Sequence, residues 1–139
     1  MSVAVRKAHA DDMKSIIPKT MLDDAMIMRG VQQIAAGNSY TGISDDGIVW
    51  ICGMVNLWGR VNQAWLLPAE LVNKYPKSFH KGMKRIIQLW LEDSDRLQIT
   101  VSAENETELK WAQNVGFKIE GLMVNYGIGG DDQYMMAIT

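Results

Sequence analysis

Lys74, Lys77, Lys81, Lys84 and Arg85 fall within twelve residues that contain no acid, and His80 sits among them. Cations at a helix start suit an anion, because free first-turn amides and the positive end of the helix dipole face it. Such a segment could hold phosphates, or touch a nucleic acid or an acidic partner. The same pattern also fits a solvated helix face, since lysine commonly fills exposed helical positions. A formal charge of −2 and no helix-turn-helix signature argue against nucleic acid as the partner. Asn105 offers a second polar group: followed by Glu108, it can cap a helix in a capping box, or it can bind a ligand. Cys52 is the only cysteine, so neither an internal disulfide nor a cysteine metal cluster can form. Set among Trp50, Ile51 and Met54, it reads as an inert core residue. His9 and His80 fall outside any metal-ligand spacing, so no metal is expected.

The elements that must position these residues follow from periodicity. Val3 to Ala8 reads as a first strand, and Asp11 or Asp12 caps a short helix through Ile17 that Pro18 ends. A second helix runs from about Met21 to Ala36, with Ile27, Val31, Ile34 and Ala35 on one face. Ser39 to Ser44 is a strand, Asp45-Asp46-Gly47 a hairpin turn, and Ile48 to Leu57 the longest apolar run. Simple alternation puts Val49, Ile51, Val55 and Leu57 on one face, and Ile48, Trp50, Cys52 and Met54 on the other. A strand apolar on both faces belongs in the middle of a covered sheet. Gln63 to Leu67 returns as a strand ending at Pro68, and Ala69 to His80 is an irregular or briefly helical connection broken by Pro76.

The next helix runs from Phe79 to Glu92, with Phe79, Met83, Ile86, Ile87, Trp90 and Leu91 as its apolar stripe. Leu97 to Ser102 alternates as a strand, Asn105 opens a helix that Gly116 stops, and Phe117 begins another apolar run. Gln133 to Ile138 closes the chain as a strand. The order is β-α-α-β-β-β-α-β-α-β-β, an α/β arrangement on a mixed sheet in a single domain over residues 1–139. A right-handed crossover makes the Gln63–Leu67 and Leu97–Ser102 strands parallel neighbours. The N-terminus carries no signal-like apolar segment and no run is long enough to span a membrane, so a cytosolic protein is expected.

Asn105, the eleven-residue step to Gly116-Phe117, and the following Lys118-Ile119-Glu120-Gly121 resemble the C-terminal half of GCN5-related N-acetyltransferases, the GNAT proteins. The opening Arg6-Lys7-Ala8-His9-Ala10-Asp11 resembles their first strand, and the element order matches over nearly the full length. The resemblance implies an acyl-coenzyme A site in which backbone groups near Leu66 and Leu67 meet the pantetheine arm. Lys77, His80, Lys81 and Gly82 would surround the phosphates, and Asn105 would contact the coenzyme. Acetyl-coenzyme A is the implied cofactor. Asp23 and Asp24 would border the acceptor cleft and suit an amine, whereas the pairs Asp11-Asp12, Asp45-Asp46 and Asp131-Asp132 read as caps and turns.

Two family features are missing. The pyrophosphate loop normally carries Arg/Gln-x-x-Gly-x-Gly/Ala, but here the corresponding stretch is Lys77-Ser78-Phe79-His80-Lys81-Gly82-Met83. The usual general-acid tyrosine, seven residues after the asparagine, is replaced by Ala112. The strand Gln63–Leu67 holds no carboxylate to act as base, and only sequence proximity recommends Glu70 or Glu104, so no catalytic residue is assigned. In layout the chain is similar to small GNAT-like proteins of short-tailed bacteriophages, including an internal virion protein family. That resemblance implies a degenerate or weak acyltransferase serving as a virion-associated or host-directed accessory protein in the infected bacterium. Its partner would be a virion or host protein. The competing expectation is an active N-acetyltransferase acting on a small amine or a protein amine.

Overall fold

The computed structural model describes residues 2–19 and 22–139. Its elements are β1 (Ala4–Lys7), α1 (Asp12–Ser15), α2 (Asp24–Ala36), β2 (Asn38–Ser44), β3 (Gly47–Trp58), β4 (Val61–Pro68), a 3-10 turn (Glu70–Asn73), α3 (Pro76–Glu92), β5 (Arg96–Ser102), α4 (Glu106–Asn114), β6 (Lys118–Met123) and β7 (Gln133–Ile138). The expected order and the mixed sheet are both present. Hydrogen-bonded neighbours follow the order β1-β2-β3-β4-β5-β7-β6 in a seven-stranded sheet. The chain forms two compact units, one reaching to Val55 and including Ala64–Trp90, the other made of Asn56–Gln63 and Leu91–Thr139.

In the first unit, β1, β2 and β3 pair antiparallel. Gly42 lies opposite Trp50 and Ile43 opposite Ile48, which leaves Val49 as an extra residue in β3. Its carbonyl accepts from the Ala69 amide at 2.9 Å. This bulge breaks the alternation expected from the sequence, because one inserted residue shifts the facing of everything before it. Ile48 therefore joins Ile51, Met13, Ile16, Ile34 and Ala69 in the cluster that also takes in Ile27 and Val31 of α2. Trp50 instead packs against α3: its ring meets Phe79 edge-on, with centroids 5.4 Å apart. Phe79, Met83, Ile86, Ile87 and Trp90 are all buried, so the α3 stripe faces inward as its spacing predicts.

Several boundaries move. The first helix stops at Ser15, and Pro18 forms an isolated antiparallel bridge with Ala69. α2 is capped by Asp23, whose carboxylate accepts from the Met26 amide at 2.8 Å; a start at Met21 lies outside the described residues. Helix α3 begins at Pro76 and not at Phe79. Proline is well suited to the first helical position, where its missing N–H is no loss, so Pro76 starts the helix it was expected to interrupt.

Asp12 ties the unit's beginning together. Arg6 donates both terminal nitrogens to it at 2.9 and 2.8 Å, the His9 amide donates at 2.9 Å, and the Thr41 hydroxyl at 2.7 Å. One carboxylate thus joins β1, α1 and β2.

The second unit is built on β5, β7 and β6, with β7 pairing antiparallel to both others. Val61, Asn62 and Gln63 pair in parallel with Arg96, Leu97 and Gln98, as the crossover predicts. Buried Asn62 braces this register: its amide nitrogen donates to the Asp93 carbonyl at 3.2 Å and to Ser94 Oγ at 2.7 Å, and its oxygen accepts from Asn56 at 2.8 Å.

Candidate functional site

The basic helix start belongs to the first unit and is fixed by the β2–β3 hairpin. Asp46, at the hairpin tip, accepts from Lys74 Nζ and from the Tyr75 hydroxyl, each at 2.6 Å. Those two bonds hold the Asp46 carboxyl below its ordinary range, the Lys74 bond having the larger effect. Lys74 is therefore already neutralised, and its role is to set the approach to α3. Tyr75 is buried, and its carbonyl accepts from the Phe79 amide at 3.0 Å, closing the first α-helical turn. Nothing in the sequence marked Asp46 beyond its place in a turn, because the clamp joins residues 28 and 29 apart.

With the helix beginning at Pro76, only Lys77 of the expected phosphate residues lies in its first turn. Among the described residues, the Lys77 and Ser78 amides have no acceptor, and these are the donors an anion would meet. His80, Lys81 and Gly82 lie one turn further on. Lys77, Lys81, Lys84 and Arg85 are exposed, and among the described residues none of them forms an ion pair. Lys77 and Lys81, four residues apart, share a face.

Gly82 points elsewhere. A Cβ built on it would come within 2.9 Å of the Trp50 ring, so its small size lets α3 sit close to β3. That is a packing role, and it explains a lone glycine without a pyrophosphate loop.

Leu66 and Leu67 are half-buried on β4, with Leu67 against the α1–α2 cluster. Among the described residues, the parallel ladder ends at Gln63 with Gln98, whereas β4 continues to Pro68. Among the described residues, Leu66 and Leu67 have no ladder partner in β5. Unpaired strand edges bind extended chains through main-chain hydrogen bonds.

Asn105, in the second unit, is the N-cap of α4. Its oxygen accepts from the Glu108 amide at 3.1 Å, and its nitrogen donates to the Glu108 carboxylate at 3.0 Å. Both ends of the side-chain amide thus engage Glu108; the backbone amide of Asn105 donates to the Ser102 carbonyl instead of to the Glu108 carboxylate, so only the forward half of the capping box forms. Ala112, seven residues after Asn105, is fully buried. A tyrosine there would displace core atoms. Ala112→Tyr is expected to cost about 2 kcal/mol, read as a lower urea midpoint, with no gain in acetyl transfer. Glu70 and Glu104 are exposed, and Cys52 is sealed in the core, where burial pushes its thiol up to about 12. Among the described residues, no group of three or more histidine, cysteine, aspartate or glutamate side chains could hold a metal.

No family model matches the sequence, and no curated protein matches it significantly. Solved structures do. Ard1 from Thermoplasma volcanium superposes with a TM-score of 0.80 at 14% identity, covering 99% of this chain and 97% of that one. An IAA acetyltransferase from Bacillus cereus gives 0.76 at 14%, covering 99% of each chain. A GNAT-family acetyltransferase from Streptococcus pneumoniae gives 0.70 at 14%, covering 99% and 98%. At this identity the likeness establishes the fold, which is that of the GNAT acetyltransferases. No helix among the described residues is long and apolar enough to cross a membrane.

Proposed function

We propose that this chain binds acyl-coenzyme A on its first unit and transfers the acyl group slowly. Binding, more than turnover, would then be its working property. The observation that carries this reading is the pair of features on one unit: the β4 edge at Leu66 and Leu67, and the basic α3 start with two amides lacking acceptors. In this reading the β4 backbone meets the pantetheine arm. The Lys77 and Ser78 amides, with the Lys77 and Lys81 ammonium groups, hold the phosphates, and His80 lies one turn along. The coenzyme would supply an activated thioester. The chain's own part is to bind and orient it, and proximity alone can contribute several kcal/mol to a barrier.

Slow chemistry fits the residues this sequence carries. The position expected for a proton donor is buried alanine, and β4 carries no carboxylate to take a proton from an amine. A protein of this kind fits an accessory role, virion-associated or host-directed, of the sort the short-tailed phage resemblance implies. Its partner there would be a virion or host protein.

Thermal unfolding with millimolar acetyl-coenzyme A tests the reading. A ligand that binds only the native state at a hundred times its dissociation constant adds about 2.7 kcal/mol, which in a chain this size is several degrees in Tm. The double variant Lys77→Glu, Lys81→Glu should lose that shift. Turnover on amines should stay at least a hundredfold below the ~10 per second typical of enzymes. No shift at all removes the binding site. Turnover near the typical value makes the chain an active N-acetyltransferase instead.

A further inference from the structure

We propose that the outer edge of β1, with the helix row beside it, docks an acidic segment of a partner protein as an added strand. β1 pairs with β2 at the first position of the sheet order, and among the described residues no strand pairs with its other side. The Ala8 amide donates to the Ser39 carbonyl at 3.1 Å. Hydrogen-bonded and non-hydrogen-bonded pairs alternate along an antiparallel ladder, so Arg6 bonds to Thr41 and Ala4 to Ile43. Val5 and Lys7 therefore turn their backbone groups outward. The Lys7 carbonyl already accepts from Arg6 Nη1 at 3.0 Å. Both groups of Val5 and the Lys7 amide are left for a guest, and such groups bind extended chains.

One row of α3 stands beside this edge. A Cβ built on Gly82 would lie 3.8 Å from a Val5 methyl, so the Gly82 side of the helix faces β1. Gly82, Arg85 and Leu89 recur at the spacing of a single helical face. Opposed residues of a ladder share a sheet face. Lys7 lies opposite Tyr40, whose ring centroid is 6.5 Å from that of Trp90 on α3. Val5 and Lys7 thus project on the side of the sheet where Arg85 and Leu89 stand. All four are open to solvent, the apolar pair at 43% for Val5 and 45% for Leu89.

Charge decides the guest. Among the described residues, neither Lys7 nor Arg85 forms an ion pair. The elements around them supply no counter-charge: β1, β2 and β3 contain no carboxylate, and α3 none before its last residue, Glu92. Two acids bonded to the ends of these elements are already occupied, Asp12 by Arg6 and Asp46 by Lys74 with Tyr75. The whole chain holds 16 acidic residues, so the sign of this face is segregation and not scarcity.

A second copy fits poorly here. Pairing β1 with itself would put Lys7 and Arg85 of both copies along one short seam with no acid between them, and like charges across strands repel. Nucleic acid would use the cations but neither the outward backbone groups nor Val5 and Leu89. The surface suits an extended peptide that places an acidic side chain opposite Lys7 and an apolar one opposite Val5, two positions apart on one face. The strand edge then supplies affinity, and the charges supply the choice of partner.

The probe is a fluorescein-labelled peptide with aspartate and valine alternating on one face and threonine filling the other. Its anisotropy should rise saturably with the full chain, and binding should weaken as salt screens the exposed charges. Lys7→Glu, Arg85→Glu should weaken it by roughly tenfold or more. Lys14→Glu, Arg29→Glu makes the same change in net charge at exposed positions of α1 and α2, which pack against Ile48 and Ile51 on the opposite face of the sheet. That variant should bind the peptide within about twofold of wild type. Val5→Pro removes an outward donor, and an edge strand accepts proline when its nitrogen faces out; circular dichroism should persist while binding is lost. A peptide with N-methylated backbone amides should not bind, whichever way that variant folds. No saturable binding up to about 1 mM peptide overturns the proposal, and so does binding that survives N-methylation or falls equally in both charge-reversal variants. Duplex DNA that binds more tightly than the peptide, or a chain that dimerises through β1, overturns it by naming another guest.

Discussion

Gly42→Ala is expected to destabilise the chain by about 3 kcal/mol, the upper end for overpacking a core. A Cβ at this position would come 2.4, 2.5 and 2.6 Å from three atoms of the Trp50 ring. The ring cannot retreat. It is fully buried, Phe79 meets it edge-on, and Gly82 of α3 lies against it on its other contact. The backbone cannot yield either, since Gly42 and Trp50 are registered partners across β2 and β3. Urea unfolding followed by tryptophan fluorescence reads the effect as a lowered midpoint. Trp50→Phe supplies a smaller ring, so the double variant should lose less than the sum of the two single changes, the mark of direct contact. Equal stability of Gly42→Ala and wild type would mean the ring does not occupy this slot. Gly82→Ala extends the same logic toward function. Alanine gains about 1 kcal/mol in helix propensity, yet the ring contact at 2.9 Å opposes it. Acetyl-coenzyme A should bind this variant as it binds wild type, because the glycine serves the helix–sheet contact and not the phosphates.

The second large effect centres on Asp12. Burial alone would push its carboxyl up, but the bonds from Arg6, the His9 amide and Thr41 outweigh burial and hold it at about 2, against an ordinary 3.8. A carboxyl depressed on folding stabilises the native state fully above its unfolded value. That contribution disappears as pH falls from about 4 to 2, because the unfolded chain takes up the proton first. The shift corresponds to about 2 kcal/mol, and the acid limb of a stability-versus-pH curve should show it. Asp12→Asn should flatten that limb while lowering the plateau near neutrality. Asp12→Ala should cost about 3 kcal/mol at pH 7, since it leaves Thr41 and the His9 amide without an acceptor and Arg6 without its counter-ion. The estimate sits at the low end for a buried pair because the Arg6 side chain is 35% exposed. An acid limb of unchanged shape in Asp12→Asn would show that another carboxylate controls acid unfolding.

Much of the chain was legible from local pattern. The closing strand Gln133–Ile138, the Asn105 cap with Glu108, and the hairpin at Asp45-Asp46-Gly47 stand where residue types place them. Each depends on neighbours within a few positions, and a one-dimensional reading sees those directly. Of the expected binding residues, Lys77 alone sits in the first turn of α3, which begins at Pro76, while the tie from Tyr75 to Asp46 fixes where that helix start lies. The clamp is invisible in sequence, since its partners are a hairpin and a helix apart.

The same distinction runs through the rest of the protein. Composition, period and caps determined which segments are helices and strands, and their order. Only the tertiary structure decided which way the residues face. The extra Val49 moves Ile48 to the other side of its strand, and the Trp50 ring claims Gly82 for packing. Asp12, not Asp11, becomes the buried anchor because Arg6 and Thr41 converge on it. The physical reason is common to all of these. Helices and turns are encoded by bonds between near neighbours, whereas bulges, ring slots and buried charge pairs arise where distant strands and helices meet.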